Sequence, residues 1–439
     1  MARQKPSKEG ANLSVAQSTM DYMMEGVRHV CETYRRRLPG SQSERDAQGF
    51  FKAELEGCAD EVRMEDFTLH PRAFMGFIPL AALLCLAAIP CFLLSNGSIL
   101  IALLGAVLPL LGTLMFLFEF LFYRDFVDFL FPKRKSCNVY ALRRPEGEVK
   151  RRIIFGGHTD VANEWTYSFL GGKAALGVTI FGGVLAVLVS LVSNIVNAVY
   201  HLAAHAITPG APLSSKWEGG WLAWSILVLL TALPSVALFF FINYRVAVDG
   251  ANDNLSANYI AMSVLREMRD SGVRFENTEV CCLLTGAEEA GLRGAKAFAR
   301  AHKAEFSDPA VETVFIAMDT MREVEELRVC GFGCTGMVVN DQAVGDLLHD
   351  AARACGIEMP DSELYPGACD CEAFSMYGLR ASGFTGVSHD AKPYYHTRMD
   401  TPDNMDPDCL ALSLNICKEA ARIFDEKGMA GYDEARGKK

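Results

Sequence analysis

Four stretches of the chain run twenty residues or more without a charged side chain: Ala73–Leu94, Ile99–Phe118, Ala174–Tyr200 and Trp221–Ile242. About twenty apolar residues in helical form cross the hydrocarbon core of a bilayer. Helices buried in a soluble core rarely run so far without one charge, because their outer face meets water. The four are therefore read as transmembrane helices. Only Ser95–Ser98 separates the first two, which predicts a tight helical hairpin. A longer loop joins the third and fourth, and Trp217, Trp221 and Trp224 cluster at its far end, as expected at a membrane interface.

Between these blocks the polarity pattern alternates. Val27–Arg37, Ser43–Leu55, Leu255–Met268 and Pro407–Phe424 are predicted helices, and the second follows a turn and cap signal in LPGSQSERD. Glu61–Leu69, Ser136–Leu142, Arg152–Phe155, Glu279–Leu284, Thr313–Met318 and Arg380–Gly383 are predicted strands. Strand, polar residue, helix is the rhythm of an α/β fold: a doubly wound, mixed but mainly parallel sheet with helices on both faces. The expected organisation is one discontinuous hydrolase domain, 1–72, 124–172 and 243–439. Two transmembrane hairpins, 73–123 and 173–242, are inserted into it.

Basic residues flank the apolar blocks on one side only: Arg63, Arg72, Arg124, Lys133, Arg134, Lys135, Lys173 and Arg245. The other side offers just Lys216 and Glu218. The positive-inside rule then faces both termini and every polar segment to the cytoplasm. The N-terminal residues are polar, with no apolar core of a secretory signal. Net charge is −11, with no long basic tract, which leaves nucleic-acid binding without support. The 14 cysteines read as free thiols in a reducing compartment. The spacings nearest to a metal-ligand pattern are Cys330/Cys334 and Cys369/Cys371, and neither makes a zinc ribbon.

Functional residues of α/β sheets gather at the carboxyl ends of strands, where His158, Glu288/Glu289 and Asp319 are predicted to sit. In chain order the candidate chemistry is His158 in HTD, Asp253 in GANDNLSA, Glu288–Glu289 in TGAEEAG, Asp319 in AMDT and His396 in YYHTRMDT. Paired metal ions need a bridging carboxylate with histidine and carboxylate ligands on each ion, and hydrolysis needs a further carboxylate to take a proton from water.

In these motifs and their order the polar part resembles the co-catalytic zinc exopeptidases of the aminopeptidase Y and glutamate carboxypeptidase family. The resemblance implies two zinc ions held by His158, Asp253, Glu289, Asp319 and His396. Asp253 would bridge them, His158 would pair with Asp319, and Glu289 with His396. It makes Glu288 the general base. Asp160 is expected behind His158, accepting its second ring N–H, and Tyr395 as an oxyanion donor or a packed ring. Asp400 and Thr401, before Pro402, read as positioning residues.

Two departures stand out. Cys371 occupies the place of a histidine near the family's substrate pocket, beside a retained Asp370. His158 and Asp253 are 95 residues apart, where relatives have a short loop, and the second hairpin fills that gap. A hairpin returns to its starting side, so the two can still meet, with the site's rim expected near the lipid surface.

His389 in GVSHDAKPYYH is a rival to His396. His201 and His205 are four apart but lack the glutamate of HExxH and read as an interfacial helix end. The expected partners are a peptide or amide substrate and the lipid bilayer, with no nucleic acid. The alternatives to an aminopeptidase are an amidohydrolase of N-acyl amino acids or other amphipathic amides, a carboxypeptidase, and a glutaminyl-cyclase-like transferase. An inactive membrane scaffold ranks below these, since no expected ligand is missing, and a transporter ranks last. The sequence names neither the substrate, the physiological metal nor the oligomeric state.

Overall fold

A computed structural model describes residues 5–207, 215–333, 337–363, 367–388 and 394–437. His389, Cys334 and the loop around Ser214 lie outside the described residues. The chain divides into two compact units: Met1–Pro71, Pro132–Asn163 and Arg245–Lys439 in one, Arg72–Phe131 and Glu164–Tyr244 in the other.

The first unit is built on a mixed sheet. Its strands are β1 (Glu61–Leu69), β2 (Arg134–Arg143) and β3 (Arg151–His158); the short β4 (Asn163–Trp165) and β5 (Ile242–Ala247) pair separately. Then come β6 (Thr278–Thr285), β7 (Glu312–Asp319), β8 (Arg328–Gly333), β9 (Val338–Val339), β10 (Asp361–Glu363) and β11 (Ala381–Thr385). The sheet order is β1-β2-β6-β3-β7-β11-β8-β10, with β9 on β8. The centre, β6-β3-β7-β11, is parallel, and β1, β2 and β8 run antiparallel to their inner neighbours. Buried apolar runs such as Ile153–Phe155, Val280–Leu284 and Val314–Met318 are what a central strand covered on both faces requires.

The first helix runs Gln17–Thr33, starting well before the predicted Val27 and ending sooner. Arg36 adopts a left-handed φ of 58°, and the buried Arg37 guanidinium donates to the carbonyls of Tyr34, Thr159 and Asp249. The Arg35–Arg37 segment is thus a tethered loop. The short strands β4, β5, β8, β9 and β10 are not among those predicted; β11, as short, is found close to the predicted Arg380–Gly383.

The second unit contains four helices long and apolar enough to cross a membrane: Ala73–Leu94, Ile99–Leu121, Thr166–Ile207 and Gly219–Phe239. The third begins earlier than its apolar block suggested, and non-helical dihedrals at Gly171 and Gly172 break it near its start. The fourth is interrupted at Thr231, and Ile242 already belongs to β5. Val178 is 74% and Leu233 78% exposed, which argues against a soluble core as their setting. The buried face of the third helix is small or polar instead. Gly183, Ala186, Ser190, Asn194 and Asn197 lie at helical spacing along the third helix, the residue types that let helices approach in lipid.

Candidate metal centre

Three neighbouring parallel strands deliver the site. His158 ends β3 and Asp319 ends β7, while β6, on the other side of β3, runs into the turn that carries Glu288 and Glu289. Asp253 lies in the turn Ala251–Leu255 that opens the helix Ser256–Asp270, after a cis Asp253–Asn254 peptide. His396 follows β11 in a loop and has a positive φ of 52°.

The Asp253 carboxylate sits between two imidazoles. Its Oδ1 is 3.0 Å from His158 Nε2 and its Oδ2 is 3.0 Å from His396 Nε2. Glu289 Oε1 is 3.1 Å from His396 Nε2, and Asp319 Oδ2 is 3.9 Å from His158 Nε2. Glu288 Oε2 approaches His158 Nε2 to 3.8 Å. One donor atom each of His158, Asp253 and Glu289 falls within 4.8 Å of the others.

Two features fit a bound cation. Asp253 Oδ2 and Glu289 Oε1 are buried and make no hydrogen bond, although His396 Nε2 is so close to both. Donor atoms this near without hydrogen-bond alignment converge on a common centre. The second feature is charge. Burial lifts the carboxyls of Glu288, Glu289 and Asp319 above their ordinary values, their mutual repulsion adding to it. Against burial, the surrounding carboxylates raise His158 well above the usual imidazole and bring His396 to about 10. Asp253 falls low despite its burial, because the two imidazoles beside it favour its charged form. The cluster needs positive charge, and its imidazole and carboxylate donors suit zinc or a similar divalent ion.

A layer of buried polar groups holds these side chains. Asp160 accepts the amide of Glu288 on Oδ1 (3.0 Å) and that of Glu289 on Oδ2 (3.1 Å). His158 Nδ1 lies 3.2 Å from the Asp160 backbone carbonyl and 3.5 Å from its carboxylate, so the ring is oriented chiefly by the main chain. The preceding amides are held too: Asn138 Oδ1 accepts from Gly286, and Glu44 Oε1 from Ala287. On the opposite side Asp400 accepts Asn252 N and Nδ2 on Oδ1 and Asp253 N on Oδ2. Burial and the nearby Asp253 raise its carboxyl to about 7. Asn258 donates to the His158 carbonyl. Glu44 and Asn138 were not singled out in the sequence, where nothing distinguishes them from other helix and strand polar residues.

The Tyr395 ring stacks on the His396 imidazole, centroids 4.1 Å apart and planes 15° from parallel. Asp370 accepts the Thr285 hydroxyl on Oδ2, while its buried Oδ1 has no hydrogen bond; burial lifts this carboxyl to about 6. Cys371 is fully buried. His201 is buried in the helical unit, and the rival His389 is outside the described residues.

The fold is that of zinc exopeptidases, and the constellation lies at the carboxyl ends of its central strands. Residues 235–421 match the model for peptidase family M28, a span that includes Asp253, Glu288, Glu289, Asp319 and His396 and begins after His158. Among similar solved structures is a Fimbriiglobus ruber glutaminyl cyclase, with a TM-score of 0.51 at 14% identity, covering 95% of this chain and 99% of that one. A leucine aminopeptidase precursor from Bacteroides thetaiotaomicron gives 0.51 at 12%, covering 93% and 98%. An aminopeptidase from an Aneurinibacillus species gives 0.50 at 15%, covering 92% and 93%. At these identities the likeness is one of fold. No match is found among curated proteins.

Proposed function

We propose that the protein is a membrane-anchored zinc exopeptidase, an aminopeptidase, that hydrolyses peptide or amide bonds on its cytoplasmic side. The observation that carries this reading is the convergence of His158, Asp253, Glu289, Asp319 and His396 beside a further carboxylate, Glu288. In this reading the five residues hold two zinc ions. Bound zinc supplies Lewis acidity, polarising the scissile carbonyl and making water easier to deprotonate.

The protein's own groups do the rest. Glu288, 3.8 Å from His158 Nε2, takes a proton from the attacking water and returns it to the leaving amine. Asp160 and Asp400 keep the carboxylates in register by fixing the backbone at Glu288–Glu289 and Asp253. Tyr395, beside His396, is assigned the oxyanion contact. The basic flanks of the apolar helices support the cytoplasmic orientation.

A glutaminyl-cyclase-like transferase is the second reading, favoured by the similar fold of the Fimbriiglobus ruber glutaminyl cyclase. One experiment separates the two: purified protein is given aminoacyl, peptidyl, N-acyl and N-terminal glutaminyl substrates, and the products are identified. Release of free N-terminal residues supports the aminopeptidase. Release of ammonia with ring closure, from the glutaminyl peptide alone, would replace it with the transferase.

A further inference from the structure

A second group of donor atoms, sharing no residue with the centre described above, lies on the CDCE segment. One donor atom each of Cys369, Cys371 and Glu372 falls within 4.8 Å of the others, and all three residues are buried. Cys330 on β8 is buried as well, and its backbone carbonyl accepts from Asn340 Nδ2 at 2.9 Å.

The surroundings are arranged around these side chains. Asn340 Nδ2 donates to Glu372 Oε1 at 2.7 Å and lies 3.4 Å from Cys371 Sγ. The Ser375 hydroxyl donates to Asn340 Oδ1 at 2.8 Å, which fixes the direction of that amide. A strand glycine leaves the room: a Cβ on Gly333 would stand 2.1 Å from the Glu372 carboxyl group. Outer groups that orient donors, and backbone kept bare beside them, are what a ligand site requires.

We propose that Cys369, Cys371 and Glu372 bind a thiophilic divalent cation of the zinc class in a closed, structural site. Binding replaces the proton of each thiol that becomes a ligand, and that proton leaves to solvent. The carboxylate keeps its bonds from Asn340 and the Cys369 amide and offers a remaining lone pair. This thiol-containing donor set differs in kind from the His158–His396 centre, which offers only nitrogen and oxygen.

That difference makes the test selective. Full-length protein in detergent is stripped with chelator and titrated with cadmium alone, following the ultraviolet thiolate-to-cadmium charge-transfer band. The expected result is a band that saturates with one equivalent, persists in His158→Ala and is lost in the double variant Cys369→Ser/Cys371→Ser. A wild-type protein without the band, or the full band in the double serine variant, overturns the proposal. If the double variant does not fold, Glu372→Gln takes its place. Cadmium affinity at the banded site should then fall by about tenfold or more, and unchanged affinity counts against the site.

Discussion

Asp160 gives both carboxylate oxygens to the amides of Glu288 and Glu289, so a buried charge sets the position of the proposed base and its neighbouring ligand. Replacing Asp160 with alanine leaves two buried amides without acceptors. We expect unfolding free energy to drop by about 2–3 kcal/mol, with loss of bound metal, read by thermal unfolding and elemental analysis. Glu288→Gln should behave differently: metal content and melting temperature hold, while turnover falls at least about a hundredfold. Near-normal turnover in that variant would remove Glu288 from the reaction. At this scale the sequence was informative where chemistry shows in residue type and order, as for His158, Asp253 and the Glu288–Glu289 pair. It was silent on Glu44, whose bond to Ala287 spans 243 positions, because ordinary polar residues acquire such a role only through tertiary contact.

At the level of elements, two contacts are open to test. Gly294, at the start of the helix Arg293–Ala301, has room for no side chain, since a Cβ would stand 2.1 Å from the Gly286 carbonyl oxygen. Gly294→Ala should push this helix off the TGAEE turn and cost about 1–3 kcal/mol, together with activity, in a combined stability and turnover assay. The second contact is His302, whose ring bonds Glu305 through Nδ1 and Glu65 of β1 through Nε2, both near 3 Å. Bonds to the two carboxylates raise the imidazole to about 9 against partial burial. Because the folded value lies above the unfolded one near 6.5, the protonated clasp stabilises the fold fully below pH 6.5, and that stability is lost as pH rises through about 9. Melting curves of wild type and His302→Gln should therefore draw together across that interval. A constant gap would mean that the ring matters through packing alone. Long apolar strands and helices were legible as elements. The antiparallel attachment of β8 to β11 was not, because two paired positions, Phe384–Val329 and Thr385–Arg328, leave no periodicity in either segment.

For the molecule as a whole, the proposed arrangement is four crossings with the polar unit on the cytoplasmic side. Single cysteines at Gly97, between the first two apolar helices, and at Ser214, between the last two, should react with a membrane-impermeant reagent in intact cells after native thiols are blocked. One at Asp361 should not. Labelling of Asp361 alone would invert the orientation. The four long apolar helices were legible because lipid imposes a simple composition on whatever crosses it, whereas the exact extent of each depends on breaks such as Gly171–Gly172. The helix that follows this break has a further consequence. From Lys173 to Ile207 it has 35 residues, about 52 Å of length at the usual rise, against roughly 30 Å of hydrocarbon. Tilt within the common range of about 0–40° does not absorb the difference. In the proposed orientation the excess projects at the outer end as a rigid post bearing the exposed His205, a landmark there for antibodies and proteases.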